Sequence, residues 1–182
     1  GETDESIVYL ARTADGMRIA VKTPKGDLAV QEEFFEQEKK KIVSLERYGG
    51  AKFFGEVQMM GGGHAIKGVA MELIDGIDGA FLESKRSVTP FPITNQHIRW
   101  MHLLLEQVKR DGMSLYDPAL KNFMFTREGR VRPIDMLVLS SRGDWDQQAI
   151  RALDLLRAWV EAHYFDRAMS GALDPRVDAL LD

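Results

Sequence analysis

The interpretation of this chain turns on the stretch Leu115-Tyr116-Asp117-Pro118-Ala119-Leu120-Lys121-Asn122. It places a carboxylate, Asp117, five residues before an amide, Asn122, in a predicted loop. Residues 122–135 then predict a short hairpin about a Glu-Gly turn, which ends on a second carboxylate, Asp135. Two carboxylates and an amide in this order are typical of a site that handles charged oxygen groups.

Towards the N-terminus, the pattern predicts a strand, a turn, a second strand and a helix. Residues 6–11 include β-branched and aromatic side chains, and Asp15-Gly16 is a strong hairpin signal. The return strand alternates over residues 18–22 and ends on a lysine, Lys22. A helix is expected from about residue 28 to residue 48, where apolar residues recur at helical spacing.

That helix offers two glutamates as partners for Lys22. Glu38 shares the apolar side of the helix with Ile42 and Leu45, and Glu36 is its nearest rival. Because the apolar side faces the sheet, we expect Glu38 to form the ion pair with Lys22.

The rest of the chain divides at a glycine-rich connector. Strands are predicted near residues 51–59 and 64–73, and Asp75-Gly76-Ile77-Asp78-Gly79 has the composition of a hinge. The part beyond it is expected to be mainly helical, with helices at 94–112, 144–169 and from Asp174. The prediction is an α+β chain with a boundary between residues 1–76 and 77–182.

Composition excludes several classes of function. The chain has 182 residues, of which 45% are hydrophobic and 29% charged, an ordinary globular balance. A net charge of -4 argues against a nucleic-acid-binding surface. The absence of cysteine excludes a disulfide scaffold, a thiolate zinc site and a cysteine nucleophile. No apolar run is long enough for a membrane span, and no signal peptide is visible.

The remaining polar residues suit phosphoryl transfer from ATP. Lys22 can clamp the α- and β-phosphates, and Glu38 can orient its flexible side chain. Mg²⁺ prefers hard oxygen ligands, which Asn122 and Asp135 can provide. Asp117 can accept the hydrogen bond of a substrate hydroxyl and later its proton. Protein kinases carry these groups in the same order along the chain.

Over roughly residues 1–160, the chain resembles a protein kinase reduced to a minimum. The resemblance implies a two-lobed kinase-like fold. Residues 1–76 would form a small antiparallel-sheet N-lobe with one main helix, and residues 77–182 a reduced helical C-lobe. The short chain and altered motifs are most similar to compact kinases that bacteria inject through type III secretion systems, among them the HopBF family.

That family is associated with phosphorylation of a serine in the eukaryotic heat-shock protein 90 chaperone. The resemblance therefore implies ATP and Mg²⁺ as cofactors, this chaperone as the host substrate, and secretion into the host cell cytosol. It also favours Ser/Thr over Tyr as the acceptor.

The same resemblance assigns the adenine end of the nucleotide. Val8-Tyr9-Leu10-Ala11 resembles the strand that follows a kinase glycine loop, and residues 71–76 resemble the gatekeeper and hinge. On that match Met71 is the gatekeeper, and the backbone of Glu72 and Ile74 holds the adenine edge. Gly1 and Val8 complete the nucleotide-binding set.

The glycine loop and the positions around the catalytic Asp depart from the kinase pattern. Gly1 is the one loop glycine that remains, with Thr3 and Ser6 at the other two positions. Ala119 replaces the basic residue of Ser/Thr kinases, and Lys121 stands where tyrosine kinases place an Arg. Because of these two replacements, only the family resemblance supports Ser/Thr over Tyr as the acceptor.

The segment after Asp135 is also altered. Met136-Leu137 replaces the usual Phe-Gly pair. Eight residues separate Asp135 from Asp144, where the long helix is expected, which is too few for an ordinary activation segment. The chain is therefore expected to work without a long regulatory loop.

Each residue taken singly has an ordinary structural interpretation, as a strand-end lysine, a solvated helix glutamate, a turn or a cap. The order in which these residues occur together along the chain favours a functional site. Two other functions stay open: a pseudokinase binding module, which the altered glycine loop supports, and a small-molecule kinase of the aminoglycoside type. The latter shares the Asp-x4-Asn and the later Asp, but usually has a larger helical part for its substrate.

Overall fold

The computed structural model describes residues 6–25, 31–61, 64–83, 89–140 and 147–169. These residues form an α+β structure with antiparallel sheets. Along the chain the elements are β1 (Ser6–Arg12), β2 (Arg18–Pro24), α1 (Gln31–Glu46), β3 (Phe53–Gly61), β4 (His64–Glu72), β5 (Gly76–Asp78), α2 (Ala80–Glu83), α3 (Asn95–Arg110), β6 (Met113–Tyr116), a 3-10 turn (Leu120–Asn122), β7 (Phe123–Thr126), β8 (Val131–Pro133), β9 (Leu137–Ser140) and α4 (Gln147–Met169).

The first sheet has four antiparallel strands in the order β1-β2-β4-β3. Strand β2 is therefore internal, and Lys22 pairs with Val8 on one side and Val69 on the other. Helix α1 packs on this sheet through Phe35 and Ile42, which are buried against Val69. The alternating pattern of β2 and the helical spacing of α1 thus put one face of each into a shared apolar layer.

The second part of the chain surrounds a larger apolar core. It contains the three-stranded sheet β5-β7-β8, the two-stranded ribbon β6-β9, and helices α3 and α4. Phe123 and Phe125 of β7 are fully buried there, with Met101 of α3 and Leu156 of α4. Leu45, in the last turn of α1, also belongs to this core, so α1 contacts both parts of the structure.

The predicted hinge at residues 75–79 is wrong in part, because residues 76–78 are the strand β5. Ile77 pairs with Phe125 of β7. A Cβ at Gly76 would clash with the carbonyl oxygen of Phe125. The glycine is therefore explained by the close approach of two backbones, and a flexible connector is not needed to account for it.

The second part also contains more strand than expected. The ribbon β6-β9, which pairs Tyr116 with Leu137, was not predicted. The hairpin expected at 122–135 is present in shortened form as β7 and β8, and the long helix is present as α4. The expected strands at 51–59 and 64–73 are observed as β3 and β4. The helix expected from Asp174 lies outside the described residues.

None of the helices in the described ranges is long and apolar enough to cross a membrane.

Candidate active site

Lys22 lies at the centre of the candidate site. It projects from the internal strand β2, and only 7% of its side chain is exposed. Its ammonium nitrogen Nζ is 2.8 Å from Glu38 Oε2 and 2.7 Å from Asp135 Oδ1. A lysine buried to this extent requires counter-charges, and here two carboxylates provide them.

Glu38 is the acidic residue that α1 turns towards the sheet. It lies between the buried Phe35 and Ile42 on the same side of the helix, and 5% of its side chain is exposed. Glu36 is 61% exposed and lies 3.9 Å from Lys39, also on α1. The expected ion pair between Lys22 and Glu38 is confirmed, and the choice of Glu38 over Glu36 is correct.

Asp135 follows β8 after one residue, Ile134, and brings the second half of the chain into contact with Lys22. Its backbone has φ 51°, in the left-handed region that Asp tolerates better than most residues. Burial alone would raise the pKa of Asp135, but the ammonium groups of Lys22 and Lys41 outweigh it and hold that pKa below its ordinary value. Asp135 therefore remains a carboxylate at neutral pH.

Asp117 and Asn122 form a second pair, held in a turn. Asn122 Nδ2 donates hydrogen bonds to the backbone oxygen of Asp117 at 2.8 Å and to its carboxylate Oδ2 at 3.0 Å. Asp117 is exposed and also has a positive φ, 58°, whereas Asn122 is buried. The turn thus presents the Asp117 carboxylate to solvent, and Asn122 fixes its direction.

One backbone hydrogen bond connects this pair to Asp135. The amide of Ile134 donates to the backbone oxygen of Asn122 at 2.8 Å, which places Asn122 beside the residue that precedes Asp135. Both donor hydrogens of the Asn122 side chain are used by Asp117, so its amide oxygen is the group left to accept a ligand. The amide oxygen of Asn122 and the carboxylate of Asp135 are both oxygen ligands of the kind that Mg²⁺ prefers.

A larger protein-only metal site is not seen: the described residues contain no group of three His, Cys, Asp or Glu side chains that could hold a metal ion. The donor set at Asn122 and Asp135 instead suits a cation that keeps water ligands and binds phosphate as well.

Lys41 is the residue of this site that the sequence analysis missed. From α1 its Nζ reaches Glu38 Oε1 at 2.8 Å and Asp135 Oδ1 at 3.2 Å. Burial would lower the pKa of Lys41, but the two carboxylates raise it above its ordinary value. Its spacing of three residues from Glu38 indicates a helical pair, but the sequence holds no sign of the contact with Asp135.

The structure describes the position of most of the residues expected around adenine. Val8 pairs with Lys22 across β1 and β2, and Met71 lies half-buried beside Phe35 and Ile42. Ile74 is buried. Gly1, the remaining glycine of the predicted loop, lies outside the described residues.

Glu72 has an additional contact that its expected backbone role did not suggest. Its two carboxylate oxygens each lie 2.8 Å from a nitrogen of Arg132 on β8. The same guanidinium donates to the backbone oxygens of Gly49 and Gly50 at 2.7 and 2.8 Å. The hydrogen bonds from Arg132 are the main reason that the pKa of Glu72 lies below its ordinary value. Arg132 thus ties β8 to the end of β4 and to the turn after α1.

A scan of the chain against models of known protein families finds no match. A search of curated proteins likewise finds none with significant similarity.

Proposed function

We propose that this chain is a Mg-ATP-dependent protein kinase with a two-lobed kinase-like fold. The observation that carries the proposal is the contact of Lys22 with both Glu38 and Asp135. A strand lysine, a helix glutamate and an aspartate from the other half of the chain are the groups that kinases bring together around the phosphates of ATP. The order of these residues in the sequence does not require them to meet.

The observed elements are compatible with two lobes. The first sheet and α1 correspond to the N-lobe proposed for residues 1–76, and the larger apolar core corresponds to the C-lobe proposed for residues 77–182. The charged site lies where α1 and β2 approach the segment after β8. A nucleotide held there would have its phosphates next to Lys22.

Each residue has a defined task in this proposal. Lys22 binds phosphate oxygens, and Glu38 keeps its ammonium group pointed at them. Asp135 and Asn122 hold the metal ion. Mg-ATP supplies the phosphoryl group and a cation that neutralises its charge. Asp117 is exposed, so it can accept the hydrogen bond of a substrate hydroxyl and take its proton as the new phosphate ester forms, the bond to the γ-phosphorus breaks and ADP leaves.

The substrate class follows from the resemblance to bacterial effector kinases of the HopBF type. On that basis the acceptor is a Ser or Thr hydroxyl of a host protein, with the heat-shock protein 90 chaperone as the first candidate. The chain would act after secretion into the host cell cytosol.

One observation favours a pseudokinase as the second candidate. The Asp135 carboxylate is already occupied by two lysines, an arrangement that a protein without catalytic metal could keep permanently. An aminoglycoside-type phosphotransferase has no comparable support, because the described helices beyond residue 140 are limited to α4.

The deciding experiment is phosphate transfer from radiolabelled ATP with Mg²⁺, using a eukaryotic lysate, purified heat-shock protein 90 and an aminoglycoside as separate acceptors. We expect a labelled protein band that is lost with Asp117→Ala and with Lys22→Met. Lys40→Met is the matched control, because Lys40 is an exposed lysine of α1. Nucleotide binding without any transfer would favour the pseudokinase, and label on the aminoglycoside alone would favour the small-molecule enzyme.

A further inference from the structure

Two lysines share one carboxylate oxygen in the candidate active site. Nζ of Lys22 and Nζ of Lys41 lie 2.7 Å and 3.2 Å from Asp135 Oδ1. On the opposite side, each lysine lies 2.8 Å from a different oxygen of Glu38. The four side chains therefore form a closed ring in which positive and negative charges alternate.

The two lysines differ in how easily they can leave this ring. Lys22 extends from the middle of a sheet and is 7% exposed, whereas Lys41 lies on α1 and is 23% exposed. The side chain of Lys41 has a flexible stem that can carry its ammonium group to water without opening the apolar layer. Lys41 is thus the replaceable member of the pair.

Without a metal ion, the second ammonium group is useful to the fold. Glu38 and Asp135 together bring two negative charges next to one buried lysine, and an unbalanced buried charge is costly. Lys41 makes the ring neutral. With a metal ion at Asp135, the same ammonium group is a like charge beside it and is repelled.

We propose that Lys41 is a built-in counter-ion that holds Asp135 and Glu38 in place while no metal is bound, and that it gives up Asp135 to the divalent cation. Lys41 is then a positioning residue that sets the metal concentration at which the site fills. This inference rests on the proposed function only for the role of Asp135 as a metal ligand, and it does not require phosphate transfer.

The test compares wild type with Lys41→Gln, using Lys40→Gln as the matched control. Lys40 is on the same helix, is exposed, and undergoes the same change of charge. Binding of Mn²⁺ is followed by the electron paramagnetic resonance signal of free Mn²⁺, with and without a non-hydrolysable ATP analogue. A second readout is the melting temperature of the metal-free protein.

For Lys41→Gln we expect Mn²⁺ affinity to rise by about threefold to tenfold, because one repelling charge is removed beside a partly exposed site. The metal-free melting temperature should fall more than that of Lys40→Gln, and saturating Mn²⁺ should remove the difference. Lys41→Arg retains the charge, so it should bind Mn²⁺ as weakly as wild type, and it replaces Lys41→Gln as the informative variant if the latter does not fold.

Unchanged Mn²⁺ affinity in Lys41→Gln, or higher affinity in Lys41→Arg, would overturn the proposal. Weaker Mn²⁺ binding in Lys41→Gln would overturn it too, and weakening confined to the samples with the ATP analogue would show that Lys41 contacts phosphate instead. If neither wild type nor Lys41→Gln binds Mn²⁺, both the metal site and this inference are wrong. If the expected affinities are found but no acceptor is ever labelled, only the catalytic part of the proposed function fails.

Discussion

The ammonium group of Lys22 lies 2.7 Å from a carboxylate oxygen of Asp135, although the two residues are 113 positions apart in the sequence. The contact joins the internal strand of the first sheet to the segment that follows β8. Because Glu38 of α1 contacts this ammonium group and Lys41 of α1 contacts this carboxylate oxygen, the site draws on three separate segments of the chain. A substitution in any one of these segments should therefore change the energetic effect of substitutions in the other two.

Replacing the two aspartates should separate nucleotide binding from transfer. If the chain binds Mg-ATP as proposed, Asp135→Ala should abolish the Mg-dependent rise in melting temperature with ATP, because the proposed metal ligand is lost. Asp117→Ala should retain this rise and lose transfer. The comparison works because a ligand that binds only the folded state stabilises it by mass action. Equal shifts in wild type and both variants would contradict the assignment of Asp135 as the metal ligand.

Glu38→Gln should impair both activity and stability. A misdirected Lys22 should slow transfer by about a hundredfold. The Lys22–Glu38 pair is also buried, so loss of one partner should lower the free energy of unfolding by about 3 kcal/mol. Loss of an exposed ion pair, by contrast, would change the free energy of unfolding only slightly. Glu36→Gln is the control, and it should be close to wild type in rate assays and urea unfolding; an inactive Glu36→Gln beside an active Glu38→Gln would be evidence against the site.

Arg132→Lys should destabilise the protein although it keeps the charge. Lysine cannot reproduce the fork that binds both oxygens of Glu72 and the backbone oxygens of Gly49 and Gly50. We expect the free energy of unfolding to fall by about 1–3 kcal/mol in urea titrations. Arg130→Lys, at an exposed position near Trp100, should change it little. Equal effects of the two substitutions would rule out a special role for the Arg132 contacts.

Stability should decrease in mild acid because of His97. Burial is the main cause that lowers the pKa of this histidine, which is 1% exposed. Its Nδ1 accepts from the backbone N–H of Thr94 at 3.1 Å, and its Nε2 lies 2.9 Å from the carbonyl oxygen of Thr126, so the folded state holds the neutral ring.

The unfolded chain therefore binds a proton at a higher pH than the folded chain does. The contribution of His97 is complete above the unfolded pKa, near 6.5. It is lost as the pH falls from there towards the lower folded value. Urea unfolding at pH 7.5 and pH 5.5 should show the loss in wild type. His97→Gln should be less stable at pH 7.5 and should show a smaller change between the two pH values; an undiminished change in this variant would assign the acid sensitivity to other groups.

The proposed kinase activity should not require phosphorylation of this chain itself. Tyr116, which is 64% exposed, stands directly before Asp117 and has no positive charge to pair with a phosphate. Residues 137–140 after Asp135 form β9 and are paired with β6, so this part of the segment is not a free lid. Protein made in bacteria and treated with phosphatase should keep its full rate. A large loss after this treatment, or in a Ser140→Ala, Ser141→Ala double variant, would reveal a phosphate-dependent switch.

Local patterns in the sequence predicted the elements that carry the site. Alternation identified β2 up to Lys22, and helical spacing put Glu38 on the buried side of α1 together with Phe35 and Ile42. These predictions succeed because side-chain direction in a strand or helix follows from position along the element. The four-residue strands β6 and β9 were missed, since strands this short have little periodic signal and depend on pairing with each other.

The sequence by itself determined which side chains are available to the site and which face of β2 and α1 presents them. Only the tertiary structure decided that Lys41 joins Lys22 at Asp135, and that Arg132 spans Glu72 and the turn after α1. Both arrangements depend on distances between residues more than 50 positions apart, which no local pattern encodes. Once the chain closes, long lysine and arginine side chains pair with the carboxylates that burial has brought within reach, because leaving those charges unpaired inside the protein costs more than ordering the side chains.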